Sequence, residues 1–470
     1  MKLYSENKDY KLYQGSMLDM LEVIEPNSID SIITDPPYEL NFMNKGWDNS
    51  GIAFQSDTWK KCYKVLKPGA YLLAFGGSRT FHRIACAIED AGFEIRDTIM
   101  WLYGSGFPKS HNIGLDIDKL NGCPDRGHRI AVANRHHPDG TLEPNGEKLE
   151  PYETKTEEAH KWNGWGTALK PSFEPIIVAR KPIEGTVAKN CLKYGVSGIN
   201  IDECRVGNEV IKGGTMPDFR DIGKKSKEAI GIDKLSFGQV ENAKRKPLDD
   251  HIGRFPANTI LTYDENDFDE VCGGFPNTKS GGGVKAPTKN ININNATNFQ
   301  HSKKYENINY TSDSGSASRY FYCAKASKKD RDEGLDEFET KQCVGGGGGI
   351  GNYLEDVNSA SGKFGSEKAP HKNTHPTVKP TSLMQYLVRL ITPNGGVVLD
   401  PFNGSGSTGK AVMYENKERN KNYKYIGIEL TEEYLPIAKA RIEYVCNLIE
   451  KEKTKDKQLT IFDVVGDNNE

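Results

Sequence analysis

The pattern of hydrophobic and polar residues predicts short buried strands and amphipathic helices near both ends of the chain. Apolar runs predict strands at residues 29–33, 70–75, 174–179, 397–400 and 425–428, and an alternating pattern predicts one at residues 93–102. Apolar residues at helical spacing predict helices over 54–66, 78–91, 383–391 and 435–449, with Ser78 as an N-cap. Because strands and helices alternate, we expect a mostly parallel sheet covered by helices, an α/β fold.

The middle of the chain lacks this periodicity. Residues 104–164 are polar and rich in Gly, Pro, His and Asn, and residues 186–370 are irregular with local groups of Lys and Arg. One such group, 325–331, follows the aromatic residues 320–322. Interleaved basic and aromatic residues suit contact with a DNA backbone and stacking on bases. Ordinary solvated loops would account for the charge equally well.

Composition narrows the class of protein. The 470 residues carry a net charge of −3, so no global basic field indicates a nucleic-acid partner, and any basic surface is local. Nine cysteines are scattered without a Cys-x-x-Cys pair, which argues against a structural zinc or a disulfide framework. No signal peptide and no apolar run of about 20 residues is present, so we expect an intracellular protein without a membrane span.

The first chemical motif is Asp35-Pro36-Pro37-Tyr38, directly after the apolar run 29–33. Neither proline can donate to a sheet ladder, so the strand must end there in a rigid turn. The turn presents a carboxylate, carbonyl groups and an aromatic ring, which are the groups needed to hold a flat amine. A plain surface turn fits the four residues equally well when they are taken alone.

The second motif follows the predicted strand 397–400. It consists of Asp400, Pro401, Phe402, Asn403, Gly404, Ser405 and Gly406. With Gly409, and with Glu429 placed 25 residues after Gly404, the motif matches the fingerprint of a dinucleotide-binding loop, which would suggest a dehydrogenase. However, a carboxylate and an aromatic ring occupy the approach where a pyrophosphate needs open N–H groups. A ligand with an adenosine, an amino-acid tail and a sulfonium fits better.

Together the two motifs resemble those of the amino-group DNA methyltransferases, which modify adenine N6 or cytosine N4. The catalytic motif comes first and the glycine loop last, as in the permuted class called beta. His375-Pro376-Thr377-Val378-Lys379-Pro380 resembles a further cofactor motif of that family. The resemblance implies a Rossmann-like fold dependent on S-adenosylmethionine, with a large inserted target-recognition region, in a protein encoded by a bacterium, phage or prophage.

The resemblance also implies roles for individual residues. Asp35 and the Pro36 carbonyl would accept hydrogen bonds from the target amine, and Tyr38 would stack on the flipped base. The loop from Asp400 to Gly406 would line the cofactor pocket, with Glu429 on the ribose and Lys379 near the cofactor carboxylate. The family often has Gly-Asp where this chain has Gly15-Ser16, so the contact with the cofactor adenine stays open between Ser16 and Asp19.

The expected reaction is direct methyl transfer to the exocyclic amine of a base in double-stranded DNA, without a covalent intermediate or a metal. Adenine is favoured because cytosine-N4 members of the family more often carry Ser in place of Asp35. The alternatives are cytosine N4 methylation, methylation of RNA or protein, and a catalytically silent DNA-binding protein of the same fold. The sequence does not give the DNA sequence that is recognised or show whether a cognate restriction enzyme exists. It also leaves the oligomeric state open, with a homodimer as one of the options.

The motifs divide the chain into four predicted parts. Residues 1–185 form the catalytic half, 186–370 the target-recognition region, 371–450 the cofactor half, and 451–470 a charged tail. Residues 318–331 could equally belong to the catalytic sheet. The tail contains Gln458-Leu459-Thr460-Ile461-Phe462 after a stretch expected to be a flexible linker. This peptide resembles those that dock on the bacterial sliding clamp, with Leu459 and Phe462 as hydrophobic anchors. A segment folded back on its own domain is the alternative.

Overall fold

The chain is described by a computed structural model for residues 2–40, 49–103, 110–123, 153–213, 249–263, 321–325, 327–340 and 372–466, and for six further short strands. The strands are β1 Lys2–Glu6, β2 Tyr10–Gln14, β3 Ile29–Thr34, β4 Leu66–Phe75, β5 Glu94–Tyr103, β6 Ala133–His136, β7 Leu142–Asn145, β8 Phe173–Arg180, β9 Val206–Ile211, β10 Thr215–Pro217, β11 Arg245–Pro247, β12 His251–Arg254, β13 Thr259–Tyr263, β14 Asn277–Lys279, β15 Ser314–Ser316, β16 Tyr322–Lys325, β17 Val397–Asp400 and β18 Lys424–Glu429. The helices are α1 Met17–Val23, α2 Ser56–Val65, α3 Phe81–Asp90, α4 Ile113–Leu120, α5 Glu157–Lys161, α6 Val187–Tyr194, α7 Lys328–Asp332, α8 Thr381–Ile391, α9 Ser407–Arg419 and α10 Leu435–Gly466.

The main sheet has ten strands in the order β1-β2-β18-β17-β3-β4-β8-β5-β13-β16. Parallel pairing joins β2 to β18, β18 to β17, β17 to β3 and β3 to β4, and it joins β5 to β13 and β13 to β16. Only β1 and β8 run in the opposite direction within this sheet. The mostly parallel α/β sheet and the Rossmann-like fold class are therefore confirmed.

Helices cover both faces of the sheet, as the strand pattern requires. Ile32 and Leu72 pack in one hydrophobic cluster with residues of α1, α2 and α3. Their neighbours Ile33 and Leu73 point to the opposite face and pack in a second cluster with α8, α9 and α10. Successive strand residues face opposite sides of a sheet, so strands buried on both sides read as continuous apolar runs.

The structure corrects several expectations about individual elements. Residues 12–21 read as a short strand and a turn in the sequence, but the strand β2 ends at Gln14 and α1 begins at Met17, where the Ser16 hydroxyl accepts a hydrogen bond from the N–H of Leu18 as an N-cap. Helix α3 begins at Phe81 rather than at Ser78. Strand 174–179 is present in β8 but lies antiparallel between β4 and β5, where a local pattern gives no information about direction.

Two boundaries also differ from the predicted ones. Strands β13 and β16 lie inside the range 186–370 and belong to the main sheet. For β16, this is the alternative that the sequence left open for residues 318–331. Helix α10 continues past residue 449 to Gly466, so the stretch before Gln458 is helical rather than a flexible linker. Within the described residues, no helix is both long enough and apolar enough to span a membrane.

Candidate functional site

The turn after β3 presents a carboxylate with one oxygen engaged and one oxygen unpaired. The Lys379 ammonium donates to Oδ2 of Asp35 at 2.6 Å. Oδ1 of Asp35 is buried and has no hydrogen-bond partner among the described residues. An unsatisfied buried acceptor is costly unless a ligand supplies the missing donor. The turn therefore has a vacant acceptor for an N–H group.

Tyr38 is held at both its backbone and its side chain. Its hydroxyl donates to Oε2 of Glu174 at 2.7 Å, and its carbonyl accepts from the Thr80 hydroxyl at 2.8 Å. A Cβ added at Gly77 would meet the Tyr38 ring at 3.2 Å, so the glycine allows the ring to lie close to the backbone. Burial, followed by the charges of Asp35 and Glu174, raises the pKa of Tyr38, and its hydroxyl stays a donor.

Asp400, at the end of β17, differs from Asp35 in having both oxygens engaged. Oδ1 accepts from the Thr34 hydroxyl at 2.7 Å and from the N–H of Phe402 at 3.1 Å, while Oδ2 accepts from the Thr408 hydroxyl at 2.6 Å. Burial raises the pKa of Asp400 to about 7, although these hydrogen bonds oppose the shift. Asp400 thus joins the ends of β3 and β17 to the start of α9.

The glycine loop between β17 and α9 needs glycine at two positions. Gly404 and Gly406 have φ of +52° and +74°, in the left-handed region. A Cβ at Gly406 would lie 2.9 Å from Cα of Ala438 in α10, and one at Gly404 would lie 2.9 Å from the His375 ring. Below the loop, buried Arg441 donates to the Ser405 carbonyl at 2.8 Å and to its hydroxyl at 3.1 Å.

The remaining predicted loop residues also have fixed positions. The Asn403 side chain accepts from the Tyr425 hydroxyl at 2.8 Å, and the Asn403 N–H donates to the Ile428 carbonyl. Pro401 is buried, and Phe402 packs partly buried against the cluster formed with α1 to α3. The loop is therefore tied to β18 on one side and to the core on the other.

Glu429, at the end of β18, lies beside the glycine loop. Its Oε2 accepts the N–H of Gly404 at 2.7 Å, and its Oε1 accepts the N–H of Thr431 at 2.7 Å. Burial raises its pKa, and the two N–H groups oppose that shift. The N–H of Gly15 donates to the Glu429 carbonyl, which brings the Gly15-Ser16 turn to the same end of the sheet.

The two motifs meet because β3 and β17 are adjacent parallel strands whose carboxyl ends share one edge of the sheet. Residues 29–440, most of the chain, match the family model described as a DNA methylase. The chain belongs to this family, the N6-adenine and N4-cytosine DNA methylases. Methylases of this family use S-adenosylmethionine, so the cofactor expected from the motifs is confirmed.

Curated relatives match only part of this chain. The type II methyltransferase M.HindIII of Haemophilus influenzae is 24% identical over 233 residues, which cover 40% of this chain and 64% of the relative. M.HpaI of Haemophilus parainfluenzae is 33% identical over 118 residues, 24% of this chain and 38% of the relative. M2.DpnII of Streptococcus pneumoniae is 37% identical over 93 residues, 20% of this chain and 32% of the relative. The chain thus spans less than two thirds of the length of each.

Solved structures resemble this chain at low identity. The complex of M1.HpyAVI with S-adenosylmethionine is 14% identical with a TM-score of 0.34, and covers 92% of this chain and 98% of its own. The PvuII DNA methyltransferase, described as cytosine-N4-specific, is 12% identical with a TM-score of 0.38 and covers 96% of both chains.

The predicted site residues of the chain come together. Lys379, expected near the cofactor carboxylate, is in contact with Asp35. Glu174 was missed, because it opens an ordinary apolar strand and no local motif marks it. The described residues contain no cluster of three or more His, Cys, Asp or Glu side chains able to hold a metal.

The cofactor loop fits an adenosine ligand by its own geometry. Gly404 and Gly406 let the loop backbone pack closely against His375 and α10, because a Cβ at either position would clash there. Each Glu429 oxygen accepts one backbone N–H in the described structure, and a carboxylate oxygen has capacity for a second donor such as a ribose hydroxyl. These residues are therefore compatible with the family cofactor.

Proposed function

We propose that this chain transfers a methyl group from S-adenosylmethionine to the exocyclic amine of a flipped base in double-stranded DNA, with adenine N6 as the acceptor. The single observation that supports the proposal most is the buried Oδ1 of Asp35 in the turn after β3, which has no hydrogen-bond partner among the described residues. An exocyclic amine is the N–H donor that this acceptor lacks. Tyr38 in the same turn supplies a ring for stacking.

The protein would act on the amine through hydrogen bonding and orientation. The lone pair of such an amine is delocalised into the base, which makes it a poor nucleophile. Asp35 and the Pro36 carbonyl would each accept one of its hydrogens and draw them out of the ring plane, which localises the lone pair on nitrogen. Stacking on Tyr38 would offset part of the cost of removing the base from the duplex. Positioning of this kind supplies a large part of the rate.

The bound cofactor supplies the methyl group on a sulfonium. On the protein side, Glu429 would hold the ribose, and the segment from Asp400 to Gly406 would form the wall of the pocket. Phe402 would pack against the adenine, and the contact made elsewhere by an aspartate would fall to Ser16 or Asp19. Ser16 caps α1 through its hydroxyl, which leaves lone-pair capacity on that oxygen.

Adenine is preferred to cytosine because this chain has Asp35 rather than a serine at the first position of the catalytic motif. The order of the motifs along the chain supports the permuted class called beta. Target recognition by the irregular parts of 186–370, and clamp binding by Gln458–Phe462, remain proposals that lie largely outside the described side chains. A cognate restriction enzyme would be consistent with the type II relatives.

The decisive experiment incubates the purified chain with S-adenosylmethionine and unmethylated genomic DNA and maps modified bases at single-base resolution. We expect N6-methyladenine at one recurring short sequence. N4-methylcytosine would keep the mechanism and reject adenine. Absence of any modified base, with cofactor binding demonstrated, would reject DNA methylation and favour an RNA or protein substrate, or a silent fold.

A further inference from the structure

We propose that Lys379 and Glu174 are positioning residues that hold the catalytic turn in its active geometry, and that Lys379 is not a ligand of the cofactor carboxylate. This inference rests on the proposed function, because the turn it concerns is the one assigned to the target amine. It concerns one buried group of charges: Asp35, Glu174 and Lys379.

The ammonium of Lys379 is fully engaged inside the protein. It lies 2.6 Å from Oδ2 of Asp35 and 3.4 Å from Oε2 of Glu174. The rings of Tyr38, Phe75 and Trp101 surround it, with centroids at 5.4, 5.0 and 6.0 Å. Its side chain is 7% exposed. Only displacement of these carboxylates would free Lys379 to bind a cofactor carboxylate.

Burial disfavours the charge on Lys379, but the two carboxylates outweigh it and raise its pKa. The lysine is therefore a permanent cation beside the turn. By binding Oδ2, it fixes the side-chain rotamer of Asp35 and leaves Oδ1 as the vacant acceptor. Without it, the carboxylate could rotate or take a water in the place of the amine.

Glu174 performs the matching task for Tyr38. It accepts the Tyr38 hydroxyl at 2.7 Å, and the Tyr103 hydroxyl lies 3.4 Å from its other oxygen. Glu174 reaches this edge because β8 is antiparallel: the beginning of β8 lies where the parallel strands end. A carboxylate at the first positions of a parallel strand would lie at the opposite edge of the sheet.

The charges of the group also suit the reaction. Two carboxylates and one ammonium leave one net negative charge beside the amine. In the transfer, the amine nitrogen forms a bond to the methyl carbon as the carbon–sulfur bond breaks, and the positive charge moves from sulfur to that nitrogen. The proton that the nitrogen then loses leaves to solvent. Net negative charge at this position stabilises the nitrogen as it becomes positive.

The test uses Lys379→Met and Glu174→Gln, with Lys181→Met as the matched control. Lys181 is also a buried lysine over a tyrosine ring, and it donates to Asn27 and to two carbonyls, but it lies at the other edge of the sheet. Cofactor affinity is measured by calorimetry, methyl transfer to unmethylated genomic DNA under single-turnover conditions, and folding by thermal melting.

We expect Lys379→Met to lower the single-turnover rate at saturating cofactor by about 100-fold, with a cofactor Kd within about twofold of wild type. Glu174→Gln keeps an acceptor for Tyr38 and should lower the rate by about 10-fold. The double variant should melt above Lys379→Met, because one stranded carboxylate is removed, and its rate should be no lower than the product of the single effects.

A tenfold weaker cofactor Kd in Lys379→Met, with the rate restored by excess cofactor, would overturn the proposal and make Lys379 a cofactor ligand. An equal loss of rate in Lys181→Met would mean that the loss in Lys379→Met comes from general destabilisation, and this outcome would also overturn the proposal. If wild type methylates no DNA, the proposed function fails, yet the cofactor Kd of Lys379→Met still decides between the two roles of the lysine.

Discussion

The ends of β3 and β17 offer a direct comparison, because adjacent parallel strands both end in Asp-Pro. At the end of β17, Asp400 is 2% exposed and every hydrogen bond it makes is internal. After β3, one oxygen of Asp35 accepts from Lys379, and the other has no partner in the described part of the chain. The same dipeptide at the same edge of the sheet therefore has two roles. Asp400 holds neighbouring elements together through its hydrogen bonds, whereas Asp35 presents an acceptor to the site.

The difference lies in the neighbours that each aspartate meets. Asp400 is followed by a helix whose first turn carries Thr408, and it faces the hydroxyl of Thr34 across the strand pair. Asp35 is followed by two prolines, which offer no N–H to its carboxylate. Substitutions should separate the two roles: changes at Asp35 should mainly lower the rate of methyl transfer, and changes around Asp400 should mainly alter the free energy of unfolding.

The largest expected effect belongs to Asp35→Asn. The side chain keeps its size but loses its charge and part of its pairing with Lys379, so we expect the transfer rate to fall by about 10³-fold. Cofactor Kd and melting temperature should change little. Calorimetry measures the cofactor Kd, thermal melting the melting temperature, and single-turnover methyl transfer the rate. A loss of cofactor binding equal to the loss of rate would contradict the assignment of Asp35 to the target amine.

Gly406→Ala should give the largest loss on the side of the cofactor loop. Its Cβ would lie 2.9 Å from Cα of Ala438, and φ is +74°, so we expect a loss of about 3 kcal/mol in the free energy of unfolding and weaker cofactor binding. Gly395→Ala is the control, because Gly395 has φ of +76° with no atom within 4 Å of its Cβ position. Strain alone should cost the control about 1 kcal/mol.

Similar costs in chemical denaturation for the two alanine variants would mean that contact between the loop and α10 contributes little. In that case, the glycine at 406 would be required only for its backbone conformation.

The same comparison explains what sequence could predict. Both motifs are contiguous segments at strand ends, so Asp35 to Tyr38 and Asp400 to Gly406 were identifiable, and parallel pairing brought them together. Glu174 was not, because its place in the site depends on β8 entering the sheet antiparallel, and the direction of a strand is not written in its apolar run. Lys379 was recognised as part of a motif, but its partner is distant in sequence, and only the fold reveals it.

Predictions of helix and strand positions were wrong where a tertiary contact replaced a local signal or where the local signal was too short. Ser78 was predicted as the cap of α3, but the helix begins at Phe81, and the Thr80 hydroxyl that could cap it donates to the Tyr38 carbonyl instead. Likewise, β13 was hidden in an irregular region, since a strand of five residues gives too short a pattern to stand out from loops.

Asp400 should give stability an unusual dependence on pH. Its folded pKa is about 7, above the value near 3.8 of the free side chain. Between these values the folded state binds more protons than the unfolded state, so this group lowers stability as pH rises from about 4 to 7. As pH rises from 5 to 8, the free energy of unfolding of Asp400→Asn, measured by urea denaturation, should increase by about 2 kcal/mol relative to that of wild type. A constant difference would show that Asp400 stays charged throughout.

The smallest expected effect tests whether the two strand ends are mechanically linked. Thr34→Val removes one of the hydroxyls bound to Asp400 without a change in volume, and should cost about 1 kcal/mol. Thr408→Val removes the other hydroxyl and should cost about the same. Thr34 immediately precedes Asp35, whereas Thr408 lies in α9, so Thr34→Val should lower the transfer rate several-fold more than Thr408→Val does. Equal transfer rates in Thr34→Val and Thr408→Val, at equal stability, would mean that Asp400 holds only the glycine loop in place. The catalytic turn would then be positioned from its other side, by Lys379 and Glu174.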